Sequence, residues 1–214
     1  MPVALKVDRL CIIGCGLMGG SFALAMKQAG LVRHVVGYNK SETTTDLARQ
    51  LGVIDESASS AAEAAAGADL VVLGVPVAAT EGTLRSIRGH LASGVLVMDL
   101  GSTKRDVVDA ARRVLREDVS CFVPAHPIAG KEASGVSHAD AALFQRRQVV
   151  LTPLPQTQPA LLNRAKALWT ALGSEVLTLS ADHHDAAFAA VSHFPHLLAF
   201  AYFNAVAKQP NGAD

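Results

Sequence analysis

The chain has 214 residues, half of them hydrophobic and only 18% charged, and 19 basic against 19 acidic side chains leave a formal net charge of zero. At roughly 100–200 residues per domain this is one domain, or one and part of a second, and the composition excludes disorder and a phosphate-neutralising nucleic-acid surface. No run of about 18 consecutive apolar residues suggests a membrane span, and residues 1–10, with Lys6, Asp8 and Arg9, lack the apolar centre of a signal peptide. Cys11, Cys15 and Cys121 are odd in number and lack metal-ligand spacing. They predict reduced thiols in a cytoplasmic protein and no metal site.

Short apolar, β-branched runs at residues 10–13, 34–38, 70–75, 95–100, 121–125, 149–152 and 175–179 read as strands. Most are continuously apolar rather than alternating, as strands covered on both faces must be. Helical spacing fills residues 17–29, 41–51, 59–66, 78–91, 104–115 and 160–172. The alanine-rich piece at 58–68 predicts a short surface helix, since alanine is the best helix former. Alternating strand–helix units predict an α/β fold with a doubly wound, mostly parallel sheet of the Rossmann type, over residues 1–180. Residues 182–207 then read as one long helix, closed by Gln209-Pro210-Asn211-Gly212. Phe188, Val191, Phe194, Leu197, Leu198, Phe200 and Phe203 make it apolar on more than one side. Such a helix needs partners on several faces, which predicts that 181–214 begins a helical domain completed by another subunit or by further chain.

Residues 14–20 read Gly-Cys-Gly-Leu-Met-Gly-Gly, directly after an apolar strand and opening a helix. In that setting Gly14 permits the tight turn, Gly16 lets backbone approach a pyrophosphate, and Gly19 lets helix and strand pack closely. The free N–H groups of Leu17, Met18 and Gly19 and the helix's positive end then face the anion. An ordinary strand-to-helix turn needs no such triplet. At the end of the second strand an acidic side chain would bind ribose hydroxyls and repel a 2′-phosphate. Here stand Asn39, Lys40 and Ser41, so NADP is tolerated or preferred while Asn39 can still hold NAD. Val75-Pro76, ending the strand at 70–75, forms an apolar floor beside the same cleft.

Two later strand ends carry polar groups without an evident packing reason. Ser102 and Thr103 follow Met98-Asp99-Leu100-Gly101; helix N-capping is their common use. His126 stands at a strand's carboxyl end between Pro124 and Pro127, with Glu132 six residues on. An imidazole there, beside a dinucleotide loop, is a natural general base near neutral pH. In the long helix, Ser192, His193 and His196 are spaced to share one face, and Pro195 removes an N–H donor and predicts a kink. His183 and His184 read as a solvated helix start. A zinc site fails on spacing.

Together Gly14-Cys-Gly-Leu-Met-Gly-Gly, Asp99-Leu-Gly-Ser-Thr-Lys, His126-Pro-Ile-Ala-Gly-Lys-Glu and Ser192-His-Phe-Pro-His resemble the prephenate/arogenate dehydrogenase family of tyrosine biosynthesis, in order over about residues 10–204. The resemblance implies NAD(P)-dependent oxidative decarboxylation of prephenate or arogenate. His126 would accept the ring hydroxyl's proton as hydride leaves the same carbon, and loss of CO2 would aromatise the ring. It implies that Ser102 hydrogen-bonds and orients His126, that Glu132 stands at the site's mouth, and that Ser192, His193 and His196 face the substrate. It also implies a homodimer built from helices and a longer helical domain supplying a carboxylate-gripping arginine. No arginine follows Arg164 here, which predicts a shortened chain. A 3-hydroxyacid dehydrogenase, a pyrroline-carboxylate reductase or a non-catalytic NAD(P)-binding piece would share the glycine loop without requiring His126.

Overall fold

The apolar strands tolerate water on neither face, and the chain stacks them into one sheet with helices on both sides. The computed structural model describes residues 5–208; the expected Gln209-Pro210-Asn211-Gly212 stop lies outside them. The strands are β1 (Val7–Ile13), β2 (Val32–Tyr38), β3 (Glu56–Ser57), β4 (Leu70–Leu73), β5 (Leu96–Asp99), β6 (Phe122–Pro127), β7 (Gln148–Leu151) and β8 (Glu175–Thr178). Their order across the sheet is β3-β2-β1-β4-β5-β6-β7-β8. All neighbours are parallel except β6 and β7, which run antiparallel with His126 opposite Val150. The chain winds one way from β1 to β3, then crosses back to place β4 on the other side of β1. This reversal opens a crevice at the carboxyl ends of β1 and β4, the usual ligand position of such sheets.

The helices are α1 (Leu17–Gln28), α2 (Glu42–Gln50), α3 (Ala61–Ala65), α4 (Thr80–Ile87), α5 (Arg105–Leu115), α6 (Pro159–Ala171), α7 (Ala181–Phe188) and α8 (Phe194–Ala207). One face of the sheet buries Phe22 and Met26 of α1 with Phe144 and with Leu161, Leu168 and Trp169 of α6. The Trp169 ring meets Phe22 and Phe144 edge-on, with centroids 5.0 and 5.2 Å away. The other face buries Leu84 and Ile87 of α4 with Val107, Ala111 and Val114 of α5. Burial on both sides is why the central strands read as unbroken apolar runs, whereas the edge strand β8 leaves Leu177 exposed.

Four expectations change. β3 escapes sequence reading because it is two residues long and pairs only with Val36 and Gly37 at the sheet's edge. The alanine-rich helix is not a plain surface helix: Ser60 caps it by accepting from the Glu63 N–H, and Ala61, Ala64 and Ala65 are buried. The helix expected at 78–91 is interrupted, with α4 flanked by single 3-10 turns at Val77–Ala79 and Arg88–His90. The long C-terminal helix is also divided, by a π-helical turn at Ala189–His193 between α7 and α8. Pro195, second residue of α8, lacks an N–H and crowds the carbonyl of Val191, so the wider turn falls where the regular ladder cannot close.

Ala181–Ala207 is a 27-residue helical stretch with an 18-residue window of mean hydropathy 1.3, long and apolar enough to cross a membrane by length and composition. Polar residues from Asp182 to Asn204 interrupt it, so it is not a run of 18 consecutive apolar residues. Its first turns are nevertheless tied to the sheet domain, where Asp185 accepts the backbone N–H groups of Lys104 and Arg105 and Asp182 pairs with Arg105.

Candidate functional site

Gly14, at the end of β1, has φ +95°, and a Cβ there would come within 2.4 Å of the Gly74 carbonyl oxygen at the end of β4. A Cβ on Gly19 would come within 2.2 Å of the Gly14 oxygen. These two glycines are therefore required by the protein's own packing. Gly16 differs: a Cβ there would meet nothing within 4 Å. It stands as the N-cap of α1 without a side-chain cap, and no acidic residue occupies the first turn. The N–H groups of Leu17, Met18 and Gly19 thus begin a helix whose positive end is unmasked.

Beside this turn lies a cavity of about 230 Å³ lined by Ile13, Gly14, Tyr38, Asn39, Lys40, Gly74, Val75, Pro76, Ala79 and Thr83. Five of the expected contact residues, Gly14, Asn39, Lys40, Val75 and Pro76, meet here, and Ala79 and Thr83 join them unforeseen. Ser41 stands just outside, exposed, its hydroxyl 2.6 Å from that of Thr43. A dinucleotide fits this donor set: an open glycine, an uncapped helix end, an apolar floor, and an amide and an ammonium at the second strand's end. No carboxylate lines the cavity to repel a 2′-phosphate.

At the carboxyl end of β6, a buried ion pair fixes the strand. Lys104 Nζ donates to Asp99 and, at 2.8 Å, to the Ala125 carbonyl. Asp99 in turn accepts the Ala125 N–H at 3.2 Å and the Gly101 N–H at 2.8 Å. Both backbone groups of the residue before His126 are therefore clamped. Asp99 and Lys104 thus have a packing reason that sequence reasoning missed. Burial pushes the Lys104 ammonium below its usual pKa, and the Asp99 charge works against that shift.

His126 is half-buried, and its Nδ1 lies 2.8 Å from Nε2 of His184. Nδ1 of His184 lies 2.7 Å from Oδ1 of Asp185. The expectation for His184 is thereby overturned: it is 0% exposed and belongs to the site. His183 remains exposed, as expected. Adjacent positions on a helix point about 100° apart, and only packing of α7 against α5 decides which faces inward. Phe188, one turn on, stacks on His184 at 4.6 Å and meets His126 edge-on at 5.0 Å. Desolvation pushes the His126 pKa down to about 3, with His184, Lys104 and His193 adding to the shift and Asp185 opposing it. The ring is neutral at physiological pH. Its Nε2 has no protein partner among the described residues and is not buried.

The other expected residues are less closely drawn in. Ser102 is exposed and makes no hydrogen bond to His126 among the described residues, so the implied Ser102–His126 bond is absent. It lines a separate concavity with Thr103, Glu81 and Arg113. Neither Ser102 nor Thr103 caps α5; Asp185 does so from α7. Glu132 is exposed on the loop after β6. Ser192 and His193 are half-buried in the π turn, whereas His196 is exposed on α8. The π turn ends at His193 and the regular helix resumes at Phe194, so Ser192 and His193 lie in the wider turn and His196 in α8. Among the described residues no cluster of metal-ligating side chains occurs.

A switch-point crevice closed by glycine backbone, with a polar site around a neutral imidazole at the carboxyl end of β6 on the same edge of the sheet, defines an α/β dinucleotide-binding domain. Comparison with known proteins narrows that class. The chain belongs to the prephenate dehydrogenase family, whose model "Prephenate dehydrogenase, nucleotide-binding domain" matches residues 22–178. It is 35% identical to the prephenate dehydrogenase of Bacillus subtilis over 90% of this chain and 52% of that protein. It is 36% identical to the cyclohexadienyl dehydrogenase of Zymomonas mobilis over 89% of this chain and 64% of that protein. The chain therefore spans about half to two thirds of the length of these curated relatives. The prephenate dehydrogenase of Aquifex aeolicus, solved with hydroxyphenyl propionate and NAD+, superposes with a TM-score of 0.90 at 32% identity, covering 98% of this chain and 76% of that one. A pyrroline carboxylate reductase from Plasmodium falciparum, at 14% identity and a TM-score of 0.64, shares the fold alone.

Proposed function

We propose that this chain is the cofactor-binding portion, with the start of the helical portion, of an NAD(P)-dependent dehydrogenase that oxidatively decarboxylates prephenate, arogenate or both. The observation that carries this reading is the neutral His126 ring, with one nitrogen free, at the carboxyl end of β6 on the same edge of the sheet as the glycine crevice. The bound nicotinamide supplies the hydride acceptor. The first turn of α1 and Gly16 bind the pyrophosphate, and Asn39, Lys40 and Ser41 meet the ribose, with no carboxylate among the three to exclude NADP. His126 accepts the proton of the ring hydroxyl, and the Asp99–Lys104 clamp holds its strand while it does so. Ser102 orients the substrate hydroxyl from the neighbouring strand end, Glu132 stands at the mouth, and Ser192, His193 and His196 face the substrate side chain. The proposed division is 1–180 for the dinucleotide domain and 181–214 for the start of the helical one, in a cytoplasmic protein.

Exposed Val191, Phe194, Leu197, Leu198, Phe200 and Phe203 on the last helix form the proposed homodimer surface, since an apolar face of that extent calls for protein cover. Sedimentation of the chain as a monomer at tens of micromolar would count against it.

The deciding assay follows reduced nicotinamide spectrophotometrically in a chain extended to its relatives' length, offering prephenate and arogenate, each with NAD and NADP. Turnover of at least one substrate is expected, and His126→Asn should lower kcat about 100-fold or more with dinucleotide affinity almost unchanged. No turnover with either substrate, or full activity in His126→Asn, sinks the proposal.

A further inference from the structure

His126, His184 and Asp185 form a single file of hydrogen bonds whose proton positions follow from elementary donor and acceptor rules. An ionised carboxylate only accepts. Asp185 is held in that form by the backbone N–H groups of Lys104 and Arg105, which donate to Oδ1 and Oδ2 at 2.8 and 2.9 Å from the positive end of α5. The proton between Asp185 and His184 therefore resides on Nδ1 of His184. A neutral imidazole has one N–H, so Nε2 of His184 carries a lone pair. At 2.8 Å, that lone pair must receive a proton from Nδ1 of His126. The remaining nitrogen of His126, Nε2, is left bare.

We propose that Asp185 and His184 are positioning residues that hold His126 in the tautomer with the proton on Nδ1, leaving Nε2 as the proton acceptor. This rests on the reading of His126 as the base and extends it to two residues on α7, a helix reached 58 residues later in the chain. When Nε2 takes the proton of a substrate hydroxyl, the imidazolium keeps its Nδ1–H on His184. The new positive charge then lies in line with the Asp185 carboxylate through one intervening ring, and no proton need move along the file. Phe188 packs on both rings and restricts their rotation.

The charged and titratable groups around His126 are His184 and Asp185 on α7, His193 on the π turn and Lys104 at the start of α5. Of these only Asp185 is an anion, so its removal leaves the imidazolium facing cations and neutral rings alone. The opposite arrangement, with His184 doubly protonated, would put the His126 proton on Nε2 and abolish the base. A ring fully buried close to the Lys104 ammonium disfavours that charge.

The test reads tautomers directly. In the chain labelled with 15N-histidine, long-range proton–nitrogen spectra near pH 7.5 should show both His126 and His184 protonated on Nδ1 and bare on Nε2, with no need of turnover. His126 protonated on Nε2 in the unmutated chain would overturn the proposal. Asp185→Asn places an amide donor among donors and should shift both rings away from that tautomer. In the extended enzyme it should lower kcat about 100-fold or more, by analogy with the orienting carboxylate of catalytic triads, and displace the acid limb of the pH–rate profile. KM and dinucleotide affinity should change less than about threefold, a split that a merely structural role does not produce. Unchanged kcat and pH profile in folded Asp185→Asn refute the positioning role. An active His126→Asn variant instead refutes the underlying base assignment and leaves the tautomer result standing.

Discussion

Gly16 and Gly19 sit in one turn, yet only one of them is required by the protein itself, and an alanine at each separates binding from folding. Gly16 has φ −83° and ψ −159°, backbone that any residue adopts, and a methyl group there meets nothing within 4 Å. Alanine is a poorer N-cap than glycine but restricts the unfolded chain, and the two effects nearly cancel, leaving stability within about 1 kcal/mol. At Gly19 the methyl carbon would sit 2.2 Å from the Gly14 carbonyl oxygen, so α1 must move about 1 Å off β1 to restore an ordinary contact. Overpacking of that kind costs about 1–3 kcal/mol or more, against roughly 1 kcal/mol regained in helix propensity. In a chain of this size, a net loss of 1–2 kcal/mol lowers Tm by about 2–8 °C. Trp169 is the single tryptophan and packs on Phe22 of α1, so its fluorescence reports the displacement. Gly16→Ala should keep the Trp169 spectrum and Tm while weakening NAD about tenfold or more by calorimetry, because the methyl occupies the pyrophosphate's approach. Gly19→Ala should shift both spectrum and Tm. Equal destabilisation by the two variants, or undiminished NAD affinity in Gly16→Ala, would refute the assignment of the crevice.

Asn39→Asp should weaken NADP far more than NAD in the same titration; equal effects would mean that residue 39 does not face the ribose. Asp99→Asn should lose about 3–5 kcal/mol in urea unfolding because it leaves the buried Lys104 ammonium unpaired, whereas the double replacement Asp99→Leu with Lys104→Met should recover much of that loss. A cost below 1 kcal/mol for the single variant would show that the ion pair does not fix β6. Stability should fall as pH drops from about 6.5 towards 5, since the unfolded His126 ring takes a proton that the folded ring refuses until about pH 3. One such ring gives a slope of up to about 1.4 kcal/mol per pH unit, and His184, shifted in the same direction, steepens it. Urea melts at pH 7, 6 and 5 measure this, and a flat result would place His126 in solvent.

The alternation of doubly buried strands with amphipathic helices, and the glycine turn between the first pair, were legible without coordinates because they are local. Strand periodicity, turn conformation and helix ends are set by neighbours a few residues apart. That is why the sheet, the crevice and seven of its eight strands could be drawn from residue order, and why the two-residue β3 could not. His126 could also be singled out, because carboxyl ends of strands are where such sheets meet ligands and an imidazole there stands out in the residue order.

What surrounds that imidazole belongs to tertiary structure. Asp99 and Lys104 looked like ornaments of a strand end until burial made them an ion pair gripping the backbone before His126. His183 and His184 are indistinguishable as neighbours in a helix start; only the seating of α7 on α5 buries one ring and leaves the other in water. The cap of α5 likewise comes from Asp185, 80 residues away, rather than from the adjacent hydroxyls. Contacts between groups so far apart in the chain are decided by how elements pack, and residue order alone carries no record of that geometry.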